Sequence, residues 1–336
     1  MIPSPTTRDG RNLDRRIADD RGEGATIEID TPDAAWPIQP EARPEPGGTP
    51  AETYYDLPVV KAPPWKWYIP AYFYAGGLAG AAGTLAAAAE LARQRRLAYR
   101  LHCIALLGEA AGAACLIADL GKPARFHYML RVFRPTSPMN LGTWILSAAG
   151  ASGALALLAS RHDRSRHWVV IASAASAITG LLLATYTAVL IGNTAIPIWD
   201  ATRRRLPWFF AASSATSLAS LLELVGAGRR SYSILGKAAE LAAGHAVARA
   251  AVAAGVGRPL REGRSGRMWR GAVWIGVASL AATLLGRPRL AGVLGTAASV
   301  LARFAVVEAG KASAADPRAT FEPQRRGRPP DRPRPA

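Results

Sequence analysis

Apolar and polar positions along this chain fall into long apolar runs broken by short basic interruptions. Eight runs stand out, at about 68–89, 97–119, 141–160, 168–192, 206–225, 234–256, 268–285 and 290–309. Apolar stretches of roughly 18 or more residues are long enough, as helices, to cross the ~30 Å hydrocarbon core of a bilayer. The pattern therefore predicts an all-α membrane protein with eight transmembrane helices. Only Gly-Arg-Pro-Arg separates the last two runs, which predicts a tight helical hairpin. Glycines recur in the first run (Gly76, Gly77, Gly80, Gly83), where they let neighbouring backbones approach closely, and packing alone accounts for them.

The flanks read differently. Residues 1–60 are rich in Asp, Glu, Arg, Pro and Gly without apolar periodicity, which predicts a disordered polar tail. Residues 61–311 form the membrane domain, and 312–336 a polar, basic C-terminal tail, so both termini are expected to be disordered. Arg15-Arg16 resembles a twin-arginine start, but IADDRGEG follows where an apolar segment should be, so the first membrane helix is expected to do the targeting.

Half of the residues are apolar, and the formal charge is +17. Nucleic acid is one partner for such a charge, but the Arg residues sit in short clusters between apolar runs. Helix-end anchors at lipid headgroups explain that placement better. Cys103 and Cys115 lie within one apolar run and no CxxC motif exists, so the chain is expected to supply no metal site. Eight crossings put both termini on one face, but Lys and Arg divide evenly between the two faces. Only the basic C-terminal flank (Lys311, Arg318, Arg325, Arg326) leans toward a cytoplasmic terminus.

The connection over 119–146, DLGKPARFHYMLRVFRPTSPMNLGTWIL, is too long and too rich in Arg, aromatics and Pro for an ordinary helix link. It resembles the loop of the NrfD/polysulfide reductase membrane subunits, whose usual form is LGRPxRFxxML…PTSPMxxGxW. YTAVLIGNTAIPIWDATRRRLPWFFAASS and RFAVVEAGKASAADPRATFEPQRRG agree with the same family. The resemblance covers roughly residues 63–326 and leaves out the N-terminal tail. Lys122 stands where the family has Arg, which keeps the charge but loses bidentate geometry.

This resemblance implies eight helices in two four-helix groups. It also implies a non-catalytic membrane subunit of a respiratory-chain oxidoreductase complex in a prokaryotic inner or plasma membrane. Such a subunit exchanges electrons and protons with quinone or quinol (menaquinone or ubiquinone) and carries neither haem nor metal. Its partners are an iron–sulfur, ferredoxin-like subunit and a catalytic, molybdopterin-type subunit. The histidines agree: of His102, His127, His162, His167 and His245, only His245 is expected deep in a helix, which leaves no haem ligand pair.

A quinone site needs an apolar slot with a few polar groups for the two carbonyl oxygens and their protons. On the face carrying both termini the expected candidates are His127, Tyr128, Asn140, Tyr186 and Asn193, with Trp67, Tyr68, Tyr72 and Trp144 near by. By resemblance, the Tyr of the YTA stretch, Tyr186, is the best single ligand. Each has a plainer alternative. Tyr186, Trp67 and Tyr68 suit a membrane-interface belt, His127 and Tyr128 a docking surface, and Asn140 and Asn193 helix caps. Lys122, Arg125, Arg131 and Arg134 are expected to dock the iron–sulfur partner.

Ionisable groups within a membrane are functional candidates by default. Glu109, Asp119 and His245 form the expected proton path, with Glu240, Arg249, Glu223 and Glu90 also along the helices. Buried ion pairs, for instance Glu109 or Glu240 with Arg249 or Arg303, would use the same residues only for packing. Two other functions stay open: a passive anchor without quinone chemistry, and a small-solute transporter. Against the transporter, no paired broken helices occupy corresponding halves.

Overall fold

The computed structural model describes residues 58–120, 122–134, 136–161 and 166–326. The expected N-terminal tail therefore lies almost wholly outside the described residues, as do His162 and the last ten positions. Eight long helices account for most of the described chain: α1 (Tyr68–Leu91), α2 (Arg95–Asp119), α3 (Pro138–Arg161), α4 (Arg166–Gly192), α6 (Leu206–Leu224), α7 (Arg230–Ala253), α8 (Gly263–Leu284) and α9 (Pro288–Ala314). A short α5 (Pro197–Thr202) precedes α6, and α10 (Pro317–Arg326) follows α9. Helix α10 occupies part of the tail expected to be disordered, and it packs on α9 and α5. Two 3-10 helices, Pro123–Leu130 and Arg258–Leu260, complete the elements.

Start and stop signals are local. Pro occupies the first turn of α5, α6 and α9, where its missing N–H breaks no helical bond. Helices α6, α7 and α8 end on glycines in the left-handed region, Gly226, Gly255 and Gly286 (φ 69°, 79° and 70°). The next residue's N–H in each case reaches back to close the last turn.

Helices α1 to α4 pack as a closed ring, and α6 to α9 pack as a second. Helix α1 joins them, touching α2 and α4 in its own ring and α6 and α9 in the other. Four helices, α2, α3, α4 and α9, are long and apolar enough to cross a membrane. The other four fall short of that average. Glycine and tyrosine dilute α1, serines dilute α6, and α7 and α8 carry charges within their length.

Small residues set the spacing. On α1, Gly80 lies directly against Gly180 of α4, and a Cβ at either would meet the other's carbonyl. Gly83 faces Ser176, and Gly77 leaves room for Ser214 and Arg303. Arg303 is fully buried: Nη2 donates to the Phe210 carbonyl (2.9 Å) and to Ser214 Oγ (3.1 Å), and its guanidinium lies over the Phe210 ring at 3.9 Å.

The second ring also holds a buried ion pair that the sequence reading does not anticipate. Lys237 Nζ donates to Glu223 Oε2 at 2.6 Å and to Thr283 Oγ1 at 2.7 Å, while Thr283 Oγ1 donates to Glu223 Oε1 at 2.9 Å. The pairs expected with Arg249 do not form, because Arg249 is exposed on α7 and Glu240 instead accepts from Ser299 Oγ at 3.2 Å.

Near the terminus-bearing end, Trp199 of α5 stacks on Trp65 (5.4 Å between centroids) and donates through Nε1 to the Val306 carbonyl (3.0 Å). Lys311 of α9 donates to the Trp65 carbonyl at 2.7 Å, so α9 and α5 together hold the segment that enters α1. Gly310 makes this possible, since a Cβ there would overlap the Trp199 ring.

Two outcomes follow for stability in detergent. Lys237→Met should cost about 3–5 kcal/mol by leaving Glu223 buried without its cation, and Lys237→Met with Glu223→Gln should recover most of the lost melting temperature. Gly310→Ala should cost about 1–3 kcal/mol by overpacking Trp199, and Trp199→Leu in the same chain should relieve part of that loss.

Candidate functional site

Helices α1, α2, α3 and α4 do not close their ring evenly. At the end where α2 stops and α3 begins they border a half-open cavity of about 770 Å³, flanked by the Pro123–Leu130 helix (the cap). That volume lies within the usual range for small-molecule sites. The walls are mainly apolar, with Ile69 and Phe73 from α1, Leu116 and Ile117 from α2, and Leu146 from α3. Four sequence candidates line it: Glu109, Asp119, Tyr186 and Asn193.

Tyr186 is buried rather than facing lipid, its ring packed on Gly142 of α3. Its hydroxyl sits beside the Gly142 backbone without completing a hydrogen bond to any described residue. Glu109, ten residues before Asp119, lies about 15 Å deeper along α2 at 1.5 Å per residue. Its carboxylate rests over Gly153, whose Cβ would stand 3.1 Å from Oε2, and that oxygen has no partner among the described residues. Asp119 is half-buried at the end of α2, and Asn193 is exposed just past the end of α4. Buried donors and acceptors nearly always find partners, so two lone ones in one apolar cavity mark places for a polar ligand or water.

The remaining candidates divide by the geometry of the cap. A 3-10 helix turns every three residues, so its side chains eclipse at that interval. Phe126 and Met129 accordingly fall on one face and line the cavity. Arg125 and Tyr128 fall on another, and with Lys122, His127, Arg131 and Arg134 they are exposed. His127 meets Tyr128 edge to face (4.5 Å), and the Arg131 guanidinium lies 5.8 Å from the Tyr128 ring centre. His127 and Tyr128 are exposed and do not line the cavity, contrary to expectation.

Asn140 also departs from expectation. Its Oδ1 accepts from the Arg134 N–H at 2.7 Å, and its Nδ2 donates to the carbonyls of Met129 (2.8 Å) and Val132 (2.9 Å). The carboxamide is spent on the loop backbone and fastens the cap to α3. His245 lies exposed on α7, in the other ring, so the structure does not bring it to Glu109 and Asp119. The deep histidine is instead His102 of α2, fully buried, with Nε2 3.1 Å from Ser173 Oγ of α4.

Sequence reasoning missed Trp65, Phe126 and Met129 as lining residues, and set Tyr72 among helix-start aromatics. Tyr72 is buried and lines the cavity, its ring packed against Gly112 and Gly76. The i, i+3 spacing of Phe126 and Met129 was a usable signal. Nothing local distinguishes Trp65 from an interfacial aromatic. Among the described residues no group of three His, Cys, Asp or Glu is placed to hold a metal ion.

Comparison with protein families matches residues 51–316 to the NrfD_2 family, described as polysulfide reductase. No curated protein matches the chain. The match spans most of the sequence and includes every long helix, the cap and the cavity, so this is a multi-pass membrane protein of a redox-complex family: the chain belongs to the polysulfide reductase family NrfD_2.

Proposed function

We propose that this chain is the quinone-reactive membrane subunit of a multisubunit oxidoreductase, and that the cavity at the end of α1–α4 receives a quinone or quinol headgroup. The observation that carries this reading is the cavity itself: about 770 Å³ of mainly apolar space into which the Tyr186 hydroxyl and Glu109 Oε2 bring no protein partner. A bound quinol would supply two electrons and two protons. Tyr186 and Asn193 are suited to hydrogen-bond the ring oxygens, and Asp119 and Glu109 to hold and pass on the protons. Tyr72 lines the slot from the α1 side. The donor set suits a quinone.

The exposed face of the cap is the proposed docking surface for an iron–sulfur, ferredoxin-like subunit, with a molybdopterin-type catalytic subunit beyond it. Lys122, Arg125, Arg131 and Arg134 surround Tyr128 there, and Arg with aromatics is the composition favoured at protein interfaces. The cap is thin: Phe126 faces the cavity while Arg125 and Tyr128 face outward, so a docked cluster would lie close to the headgroup.

The same reading takes all eight long helices as crossings of a prokaryotic inner or plasma membrane. Large apolar side chains support it on helices whose average hydropathy is low, since Trp208 of α6 (74%), Leu235 of α7 (70%) and Trp274 of α8 (70%) stand exposed on outer faces.

Tyr186→Phe should lower quinol turnover by roughly 10²-fold, the low end for losing a group that positions or transfers a proton. Activity of the catalytic partner with an artificial dye should stay unchanged, whereas a passive anchor predicts no change in either assay. Arg125→Glu with Arg134→Glu should release the iron–sulfur partner during purification while the chain still inserts in the membrane. A complex that survives this charge reversal would give the cap another role.

A further inference from the structure

Polar groups continue below the cavity. Along α2, Glu109 and His102 lie seven residues apart, two turns, and so project from the same face of the helix toward the middle of the ring. His102 Nε2 meets Ser173 Oγ of α4 at 3.1 Å. Helices α2 and α4 stand across the ring from each other and make little other contact, so this hydrogen bond crosses its centre. Ser152 of α3 and Thr179 of α4 bond at 2.9 Å, one residue before the glycine on which the Glu109 carboxylate rests. Ser176, between Ser173 and Thr179 on α4, is buried.

Three atoms along this line are buried without a hydrogen-bond partner among the described residues, His102 Nδ1, Glu109 Oε2 and Tyr186 Oη, and a fourth, Ser176 Oγ, lies beside it against Gly83 of α1. In an apolar ring each is expensive unless water or a shared proton completes it. At the far end, where α1 stops and α2 starts, a small cleft of about 60 Å³ is lined by Glu90, Arg95, Tyr99, Ser160 and Arg166. Glu90 is buried there, and Arg166 Nη2 donates to its backbone carbonyl at 3.4 Å. From that cleft, His102 lies about 10 Å along α2 and Glu109 about 10 Å further, at 1.5 Å per residue. These groups are spaced along α2 from the cleft to the floor of the cavity, with intervals of about 10 Å that water would have to bridge.

We infer that the axis of the first ring is a proton route, running from the Glu90–Arg166 cleft through His102, Ser173 and Ser176 to Glu109, which joins the cavity to the face opposite the cap. The inference rests on the quinone reading of that cavity. Oxidation of one quinol yields two electrons and two protons. The electrons leave to the iron–sulfur partner at the cap, and the protons pass by Glu109 and His102 to the opposite face; reduction runs the same balance in reverse. His102 is the relay, because its two ring nitrogens accept and release a proton on opposite sides. Such a route separates charge across the membrane, which a passive packing cluster would not do.

The experiment uses the whole complex in sealed liposomes, with a pH dye on each side and a short-chain quinol as donor. Wild type should change the pH on the face opposite the cap as electrons flow. His102→Phe should abolish that signal while purified complex keeps its quinone content. His102→Gln, which can still bond Ser173 but cannot carry a proton, should do the same and guards against misfolding. His245→Gln, on the outer face of the other ring, should leave the signal intact. If His102→Gln assembles and the far-face signal persists per electron transferred, or if wild type never shows one, the route is wrong. Absence of quinone from the wild-type complex, seen by extraction, would remove the quinone reading itself and this inference with it.

Discussion

Backbone contact between α1 and its neighbours is the constraint on which this structure depends. Lipid chains are as apolar as leucine, so helices in a membrane gain little from hiding apolar surface, and close packing decides how they associate. Gly80 and Gly180 bring α1 and α4 together at their carbonyls, and Gly77 lets the Arg303–Ser214 bond pass beside α1. Because α1 touches helices of both rings, its glycines set the geometry of each. Tyr72 and Tyr186, which face the cavity from α1 and α4, are placed by that same contact.

The two rings hold their buried carboxylates differently. In the second, Lys237, Glu223 and Thr283 satisfy one another, and Glu240 is met by Ser299. Removing any one member leaves a stranded group, which makes the cluster a strong brace for helix position. In the first ring Glu109 has no ion partner among the described residues and lines the cavity. The exchange chemistry proposed here draws on Glu109 beside the cavity of the first ring, and the Lys237–Glu223 pair of the second is read as a brace.

Between membrane face and solvent, the Pro123–Leu130 helix serves two surfaces at once. Phe126, Met129 and Leu130 line the cavity, while Arg125, His127 and Tyr128 stand exposed and do not. Asn140 holds it by three backbone hydrogen bonds, so the cap is fastened to α3 and not merely laid over the cavity. Lys311 and Trp199 perform the matching task on the other side, fixing Trp65 where it lines the same space.

Helix positions were legible in advance because an apolar run bounded by Arg, Pro and Gly has few alternatives in a membrane. The apolar run over 97–119 became α2 from Arg95 to Asp119, and the run over 168–192 became α4 from Arg166 to Gly192. The loop motif and the family were equally legible, since both are carried by contiguous residues. What contiguous residues do not carry is rotation about a helix axis and the distance between helices remote in sequence. Those decided that His102 is buried and His245 exposed, that Lys237 finds Glu223, and that Asn140 spends its carboxamide on the loop. Tyr186 and Glu109 could be singled out as residues, but only packing of four helices around them leaves both beside one cavity without a partner.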